Sequence, residues 1–296
     1  MPTKILLDTD IGSDIDDAVC LAYLLAQPRC ELMGITTVTG EAVRRAMMAD
    51  VLCQVAGKEI PIFAGLEHPL VVPVRQPKAP QYEAAAKWPH RREFPGNAID
   101  FLRDTIRGHP HEITLLTIGP LTNIAAMLTI DPQIAPLLKS LVMMGGNFTP
   151  VRGRDGRSIY AEWNILNDPH AAAIVFRADI PEVRAVGLDV TLQVTMPSTE
   201  VRRRFEKKLL RPVLDFAEIW FSHSQDLITF HDPLAATTIF DDEICEFEAG
   251  NIDVELSSEK LAGFTFWNPD PEAARHHVAV SVSPERFFEH YFSQFD

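Results

Sequence analysis

Five aspartates fall within ten positions near the start of the chain, in the stretch LLDTDIGSDIDDA at residues 6–18. They are Asp8, Asp10, Asp14, Asp16 and Asp17. Two carboxylates held about 4 Å apart repel each other by roughly 4 kcal/mol at an effective dielectric constant near 20. A folded chain therefore has to separate these groups, protonate some of them or neutralise them with a cation.

Three interpretations of the cluster differ in the chemistry that they require. Helix capping and solvation account for one or two aspartates but leave the others unexplained. A calcium loop of EF-hand type needs glycine at its sixth position and glutamate at its twelfth. Counted from Asp8, those positions hold Ser13 and Val19, which excludes this loop. The residues favour a site for a hard cation that oxygen ligands from elsewhere in the chain complete.

A Mg²⁺-dependent phosphatase of the haloacid dehalogenase type is the weaker alternative. Such an enzyme also begins with a strand that runs into DxD, and its first aspartate is the nucleophile. Two residues beyond the second aspartate, however, this chain has Gly12 in place of the usual threonine or valine.

Short apolar runs alternate with helical patterns along most of the chain. We predict strands at 4–7, 31–38, 61–65, 112–119, 140–146 and 183–190, and helices at 17–27, 41–57, 97–107, 120–130 and 168–177. This alternation is typical of an α/β fold with an open, mostly parallel Rossmann-like sheet flanked by helices. After about residue 197 the pattern changes to amphipathic helix and two late strands, which we interpret as C-terminal additions to a single domain over 1–296.

The predicted fold gives the aspartates a place. In open α/β sheets, ligands bind beyond the carboxyl ends of the strands. Asp8 and Asp10 end the first predicted strand, and Asp16 and Asp17 open the helix that follows, whose positive N-terminal end favours carboxylates. The proline-rich, irregular segment 72–96 either covers this site or is a passive surface excursion.

Composition excludes several classes of protein. The formal net charge of −14 argues against a broad surface for nucleic acid or for an anionic membrane. The four cysteines lie far apart without a CxxC pair, as expected for reduced thiols in a cytoplasmic protein. No apolar stretch is long enough to span a bilayer.

Four ordered motifs make the chain resemble the nucleoside hydrolase family, the inosine-uridine preferring nucleoside N-ribohydrolases. They are DTDIGSDIDDA, TIGPLTNIA at 117–125, MGGN to AEWNILNDP at 144–169, and HDPLA at 231–235. The resemblance implies an enzyme of nucleoside catabolism and salvage that cleaves an N-riboside to ribose and free base with Ca²⁺ as cofactor. Family members hold the ion by residues that correspond to Asp10, Asp17, Asp232 and the backbone carbonyl of Ile118.

The same resemblance assigns further roles. Asp10 would take the proton of a metal-bound water, Asp8 would support the site, and Asp16 would bind a ribose hydroxyl. Met144, Asn147, Glu162 and Asn164 would surround the sugar, and Trp163 would line the sugar or base pocket. The role of Asp168 follows instead from its place before Pro169 at the start of the predicted helix 168–177, where we expect it to be the N-cap. His231, with an unperturbed pKa near 6.5, would help protonate the departing base. Members of the family are usually dimers or tetramers, so we expect a homodimer or homotetramer.

Three features depart from the family pattern. The aspartate loop carries two additional residues, which leaves Asp14 without an assigned role. Glu41 stands where the family has an asparagine that binds ribose, although a carboxylate donates no hydrogen bond unless it is protonated. The usual HG-containing loop is absent from 72–96. The last two departures keep open a second hypothesis, a catalytically weak protein of the same fold that only binds nucleosides or ribose.

Overall fold

The structure is a computed structural model that describes residues 2–153, 156–223, 226–272 and 275–295. Within these residues the strands are β1 Thr3–Thr9, β2 Cys30–Thr37, β3 Ile62–Ala64, β4 Ile113–Thr117, β5 Ser140–Met144, β6 Val151–Arg152, β7 Ser158–Ile159, β8 Val183–Val186, β9 Thr195–Pro197, β10 Leu227–Thr229, β11 Cys245–Val254, β12 Thr265–Pro269 and β13 His276–Val282. The α-helices are α1 Asp16–Ala26, α2 Ala42–Ala56, α3 Tyr82–Ala85, α4 Ala98–Gly108, α5 Thr122–Ile130, α6 Trp163–Asn167, α7 Pro169–Arg177, α8 Leu188–Thr191, α9 Ser198–Arg204, α10 Arg211–Ser222, α11 His231–Thr237 and α12 Pro284–Ser293. Short 3₁₀ helices cover Pro132–Leu137 and Lys208–Leu210.

One nine-stranded sheet organises the fold, in the order β12-β11-β13-β8-β5-β4-β1-β2-β3. The seven strands from β13 to β3 pair in parallel, whereas β11 runs antiparallel to both β12 and β13. The predicted α/β class with an open, mostly parallel sheet is therefore confirmed. The antiparallel strands β11 and β12 lie at one edge, where the predicted C-terminal additions join the sheet.

The central strands are apolar because helices cover both faces of the sheet. Along β1, Leu6 and Leu7 point to opposite faces and belong to two separate hydrophobic cores. Helix α7 begins with Asp168 as its N-cap, as predicted, because the carboxylate accepts the Ala171 N–H at 3.0 Å and Pro169 occupies the first turn. Among the described residues, no helix is both long and apolar enough to cross a membrane.

Two differences from the prediction are larger than a shift of a residue or two at the end of an element. The run at 183–190 is strand only as far as Val186, because the chain turns at Gly187 into helix α8. Strand β12 was not predicted, since its sequence TFWNP contains asparagine and proline, which are rare in strands. Neither difference affects the adjacent central strands β1, β4 and β5, whose carboxyl ends lie side by side at that end of the strands.

Candidate active site

A cavity of about 700 Å³ opens at the carboxyl ends of β1, β4 and β5. The residues predicted for the site that line it are Asp10, Asp16, Asp17, Ile118, Met144, Glu162, Trp163, Asn164, His231 and Asp232. Asp14, which had no predicted role, lies in the same wall. Three further candidates, Asp8, Glu41 and Asn147, are outside the lining. The sequence motifs thus converge on one cavity although the first and the last are more than 200 residues apart.

Three buried carboxylates form the acidic centre of the cavity. One oxygen from each of Asp16, Asp17 and Asp232 lies within 4.8 Å of the others. Asp16 and Asp17 occupy the first turn of α1, and Asp232 occupies the first turn of α11. The Thr9 hydroxyl donates to Asp17 Oδ1 at 2.5 Å, which fixes that side chain from the end of β1.

Burial and mutual repulsion raise the pKa of all three carboxyls well above the usual value. For Asp16 the neighbours that add to this effect are Asp14 and Asp10, and for Asp17 they are Asp10 and Asp16. Burial also raises the pKa of Asp14 to about 7. An all-oxygen set of buried acids at such short separations fits a hard divalent cation, whose charge would offset both the cost of burial and the mutual repulsion.

Asp10 lies beside this centre, but its carboxylate has partners of its own. Gln76 Nε2 donates to Asp10 Oδ2 at 2.5 Å. Burial raises the pKa of Asp10, and the charge of Arg45 and the hydrogen bond from Gln76 oppose that shift. Among the described residues, the close carboxylate group contains Asp16 and not Asp10.

Another part of the lining comes from the ends of β4 and β5 and the start of α6. Asn164 Nδ2 donates to the carbonyl oxygens of Ile118 at 3.2 Å and of Met144 at 3.1 Å, and so connects the ends of two strands. Glu162 is the N-cap of α6 and accepts the backbone N–H groups of Asn164 and Ile165. Burial raises the pKa of Glu162 to about 7. The wall therefore presents an amide, a carboxyl and a carbonyl held by strand and helix ends.

His231 lines the cavity at the start of α11, and its Nδ1 lies 2.7 Å from the Thr191 hydroxyl oxygen. Burial lowers the pKa of this imidazole from 6.5 to about 4. An imidazole with the unperturbed pKa would be partly protonated near pH 7, whereas burial keeps the His231 ring neutral at that pH. A neutral ring that accepts from Thr191 at Nδ1 carries its N–H at Nε2.

Asp8 is completely buried behind the cavity wall. Its Oδ1 accepts the Thr36 hydroxyl at 2.5 Å and the Asn123 amide at 2.7 Å, and burial raises its pKa to about 7. Its backbone carbonyl accepts the Ile118 N–H, so Asp8 ties β1 to the end of β4. A phosphatase nucleophile would have to face the cavity, and this side chain does not.

Asn147 and Glu41 are also engaged by the protein. Asn147 Nδ2 donates to the Ile159 carbonyl, and its Oδ1 is buried without a partner among the described residues. Glu41 Oε1 pairs with Arg44 at 2.6 Å and Oε2 accepts the Ala79 N–H at 2.9 Å. Although burial raises the pKa of Glu41, these hydrogen bonds and the Arg44 charge bring it below the usual value.

The segment 72–96 supplies part of the wall, so of its two interpretations the passive surface excursion is excluded. Gln76, Pro77, Lys78 and Pro80 line the cavity, so the segment covers the site. These four residues were not predicted, because residues 72–81 form neither helix nor strand and so have no periodicity that shows which side chains turn inward. The run of prolines was the signal, since it favours a fixed backbone path.

Arg45 was also missed. Its guanidinium is completely buried and donates to the carbonyl oxygens of Asp10, Ile11, Gly40 and Lys78 and to the Ser13 hydroxyl. It therefore joins the aspartate loop to the segment that carries Gln76. It is also a cation placed close to Asp10 and Asp17, whose pKa values its charge lowers.

Comparisons with known proteins agree with the geometry. Residues 5–289 match the family model described as inosine-uridine preferring nucleoside hydrolase. The chain is 32% identical to the inosine-uridine preferring nucleoside hydrolase of Crithidia fasciculata, over 97% of this chain and 96% of that protein. It is 33% identical to the protein of the same name from Leishmania major, with the same coverage. A solved plant nucleoside hydrolase, PpNRh1, superimposes with a TM-score of 0.86 at 25% identity and covers 100% of this chain and 99% of the plant chain.

Proposed function

We propose a function from the premise that this chain belongs to the inosine-uridine preferring nucleoside hydrolase family and is a hydrolase of N-glycosyl bonds. In this proposal the enzyme cleaves a ribonucleoside to ribose and free base in a Ca²⁺-dependent reaction, with Asp10 as the base. The observation that carries the proposal is the buried group of Asp16, Asp17 and Asp232 inside a cavity that Asp10 also lines. Membership of this family leaves no place for the phosphatase alternative.

The metal ligands in the proposal are Asp10, Asp17, Asp232 and the carbonyl oxygen of Ile118. The set contains only oxygen donors, which suits Ca²⁺ with its six to eight oxygen ligands. When bound, the ion supplies a positive charge that lowers the pKa of water and attracts hydroxyl oxygens. Asp16 reaches the same carboxylates, so its proposed role on a ribose hydroxyl competes with a role on the ion.

The chain's own groups divide the remaining work. Asp10 accepts the proton of the attacking water as the C1′–N bond breaks and the sugar develops oxocarbenium character. Glu162 and Asn164, held by the α6 N-terminus, orient the sugar together with Met144. The base leaves with the electron pair of the C1′–N bond and is protonated by solvent, while His231 donates a hydrogen bond to it from the neutral ring. Trp163 provides an apolar face at the mouth of the cavity.

Release of base and of reducing sugar from a panel of purine and pyrimidine nucleosides tests the proposal. We expect turnover that EDTA abolishes and that Ca²⁺ restores at lower concentration than Mg²⁺. Asp10→Asn should lower kcat by about 10²–10⁴-fold while the melting temperature stays near that of the wild type. The exposed Asp100→Asn on α4 is the matched control.

Two outcomes would contradict the proposal. Turnover that survives complete chelation would show that the reaction does not require the cation. Tight nucleoside binding by calorimetry without turnover on any member of the panel would favour the protein that only binds nucleosides.

The proposal also includes a cytoplasmic homodimer or homotetramer. The four cysteines support the reducing compartment, because all are buried and unpaired. Light scattering on the eluted protein measures the mass of the assembly directly, and a single mass of 33.1 kDa would contradict self-association.

A further inference from the structure

A buried glutamine links Asp10 to the mouth of the cavity. Gln76 is 7% exposed, and its Nε2 donates to Asp10 Oδ2 at 2.5 Å. Its Oε1 accepts the indole N–H of Trp163, also at 2.5 Å. Both ends of one amide are therefore engaged, and a continuous chain of hydrogen bonds runs from Trp163 through Gln76 to Asp10.

The direction of this chain is fixed by chemistry. An indole nitrogen is only a donor, so the atom of Gln76 that faces Trp163 has to be the amide oxygen. The NH₂ group of Gln76 must then face Asp10. An NH₂ group only donates, so the Asp10 oxygen opposite it has to be an acceptor.

The backbone that carries Gln76 is anchored independently of any ligand. The carbonyl of Lys78 accepts Arg45 Nη2 at 3.0 Å, and the N–H of Ala79 donates to Glu41 at 2.9 Å. The N–H of Gln81 donates to the Gly12 carbonyl at 3.1 Å. Residues 76–81 are thus tied to the aspartate loop and to the start of α2, and they hold the amide in place.

The other oxygen of Asp10 is confined as well. A Cβ added to Gly119 would lie 2.8 Å from Asp10 Oδ1, so this oxygen packs directly against the backbone that follows β4. Gln76 holds Oδ2 by a hydrogen bond and Gly119 confines Oδ1 by contact. The carboxylate plane is therefore defined from two sides.

We propose that Gln76 is a positioning residue that fixes the carboxylate of Asp10 for proton transfer, with Trp163 setting the orientation of the Gln76 amide. The inference rests on the proposed function, in which Asp10 takes the proton of the attacking water. It assigns a role to the segment that replaces the usual loop of the family. Partners that orient a reacting or metal-binding side chain are commonly worth 10–100-fold in activity or metal affinity.

Two substitutions of Gln76 separate the hydrogen bond from the volume of the side chain. Gln76→Met keeps the length but removes both the donor and the acceptor. Gln76→Glu keeps the shape and the acceptor toward Trp163, but it presents a carboxylate to Asp10. At saturating Ca²⁺ we expect kcat to fall about 10–100-fold in Gln76→Met and at least as far in Gln76→Glu, with KM within about threefold of the wild type.

Gln81→Met is the matched control. Gln81 is a buried glutamine of the same segment, but its Nε2 donates to the Ser13 carbonyl and its side chain does not line the cavity. We expect wild-type kcat and KM for this variant. An equal loss of kcat in Gln81→Met would mean that the integrity of the segment matters and the Gln76 hydrogen bond does not, which would overturn the proposal.

A second measurement does not depend on activity. The chain has four tryptophans, so ¹⁵N labelling gives four indole N–H resonances, and Trp163→Phe identifies the one that belongs to Trp163. We expect this resonance to shift in Gln76→Met and to stay in place in Gln81→Met. A resonance that does not move in Gln76→Met would overturn the hydrogen-bond chain itself.

The kinetic outcomes are equally decisive. An unchanged kcat in both Gln76 variants would overturn the positioning role, and so would a rise of KM alone, which would indicate a contact with substrate. A wild type that hydrolyses no nucleoside would instead contradict the proposed function, and the indole resonance would still report whether the chain of hydrogen bonds exists.

Discussion

Replacing Arg45 by methionine tests whether one buried cation holds the aspartate loop together. The guanidinium is completely buried, and its donors reach carbonyl oxygens in three separate stretches of chain: the aspartate loop, Gly40 and Lys78. Methionine keeps much of the apolar stem but removes the charge and every donor. Arg45→Lys keeps the charge, yet an ammonium on one nitrogen cannot reproduce the planar fork.

The structure sets the expected magnitude. Each buried acceptor left without a donor costs about 1–3 kcal/mol, and removing one partner from a buried charged network costs about 3–5 kcal/mol. Relaxation limits the sum, so we expect Arg45→Met to lower the free energy of unfolding by about 3–5 kcal/mol. At roughly 2.1 cal/mol/K of unfolding entropy per residue, a chain of 296 residues loses about 5–8 °C in melting temperature. Arg45→Lys should lose less than Arg45→Met.

Thermal unfolding followed by circular dichroism, at pH 7 and at one fixed Ca²⁺ concentration, measures the effect. The neighbouring Arg44→Met is a close control, because the Arg44 side chain is 52% exposed and makes surface contacts with Glu41 and with the Tyr82 ring. Such a pair contributes about 0–1 kcal/mol, so its loss should change the melting temperature by at most about 2 °C. If Arg45→Met melts as Arg44→Met does, the buried guanidinium is not the clamp that its contacts indicate.

Three further predictions concern the cation, the packing around Asp10 and the acid side of the stability curve. In EDTA the pKa values of the clustered aspartates lie above the unfolded value of 3.8, so the folded protein loses stability as pH rises and these groups ionise. Ca²⁺ binds the ionised groups and should therefore raise the melting temperature more at pH 8 than at pH 5, and equal shifts at the two pH values would contradict this. Gly119→Ala would place a Cβ 2.8 Å from Asp10 Oδ1, so we expect kcat to fall at least about tenfold and stability to fall by about 1–3 kcal/mol. A Cβ added to Gly108, the last residue of α4, meets nothing within 4 Å, so Gly108→Ala should leave kcat unchanged and should not lower stability. Burial lowers the pKa of His276 below 6.5, so the unfolded chain binds the proton more readily and stability falls as pH decreases below about 6.5. Urea unfolding at pH 7.5 and 5.5 should show that the free energy of unfolding decreases less between these pH values in His276→Gln than in the wild type. Replacement of the exposed His68 by glutamine should leave the wild-type pH dependence unchanged.

The sequence predicted the sheet well because each central strand is apolar on both faces. Runs such as ITLLT in β4 and SLVMM in β5 are completely buried, and their length distinguishes them from helices. Strand β12 was missed because it lies at the edge of the sheet, where composition is less constrained. The DxD at the end of β1 was informative because charged residues that directly follow a buried strand mark its carboxyl end, where ligands bind in this class of fold.

The parts of the site that escaped prediction share a physical cause. Arg44 and Arg45 are adjacent in the sequence, and nothing in the pattern says that the first is exposed and the second completely buried. Gln76 lies in irregular chain, where neither helical nor strand periodicity tells which side chain turns inward. Both residues matter through contacts with Asp10, which is more than 30 positions away, and a single sequence does not contain that information.

Two of the three departures from the family pattern, Glu41 and the missing loop, are physically one arrangement. Glu41 follows Gly40 in a left-handed conformation with φ of 61°, and this turn aims its carboxylate at the Ala79 N–H and at Arg44. Because a carboxylate is an acceptor at both oxygens, it can hold two donors at once, whereas an asparagine offers a single acceptor atom. The acid at this position is therefore matched to the segment that follows Gln76. Glu41, the residue that departs from the family pattern, is thus the side chain that holds the Ala79 backbone of this segment.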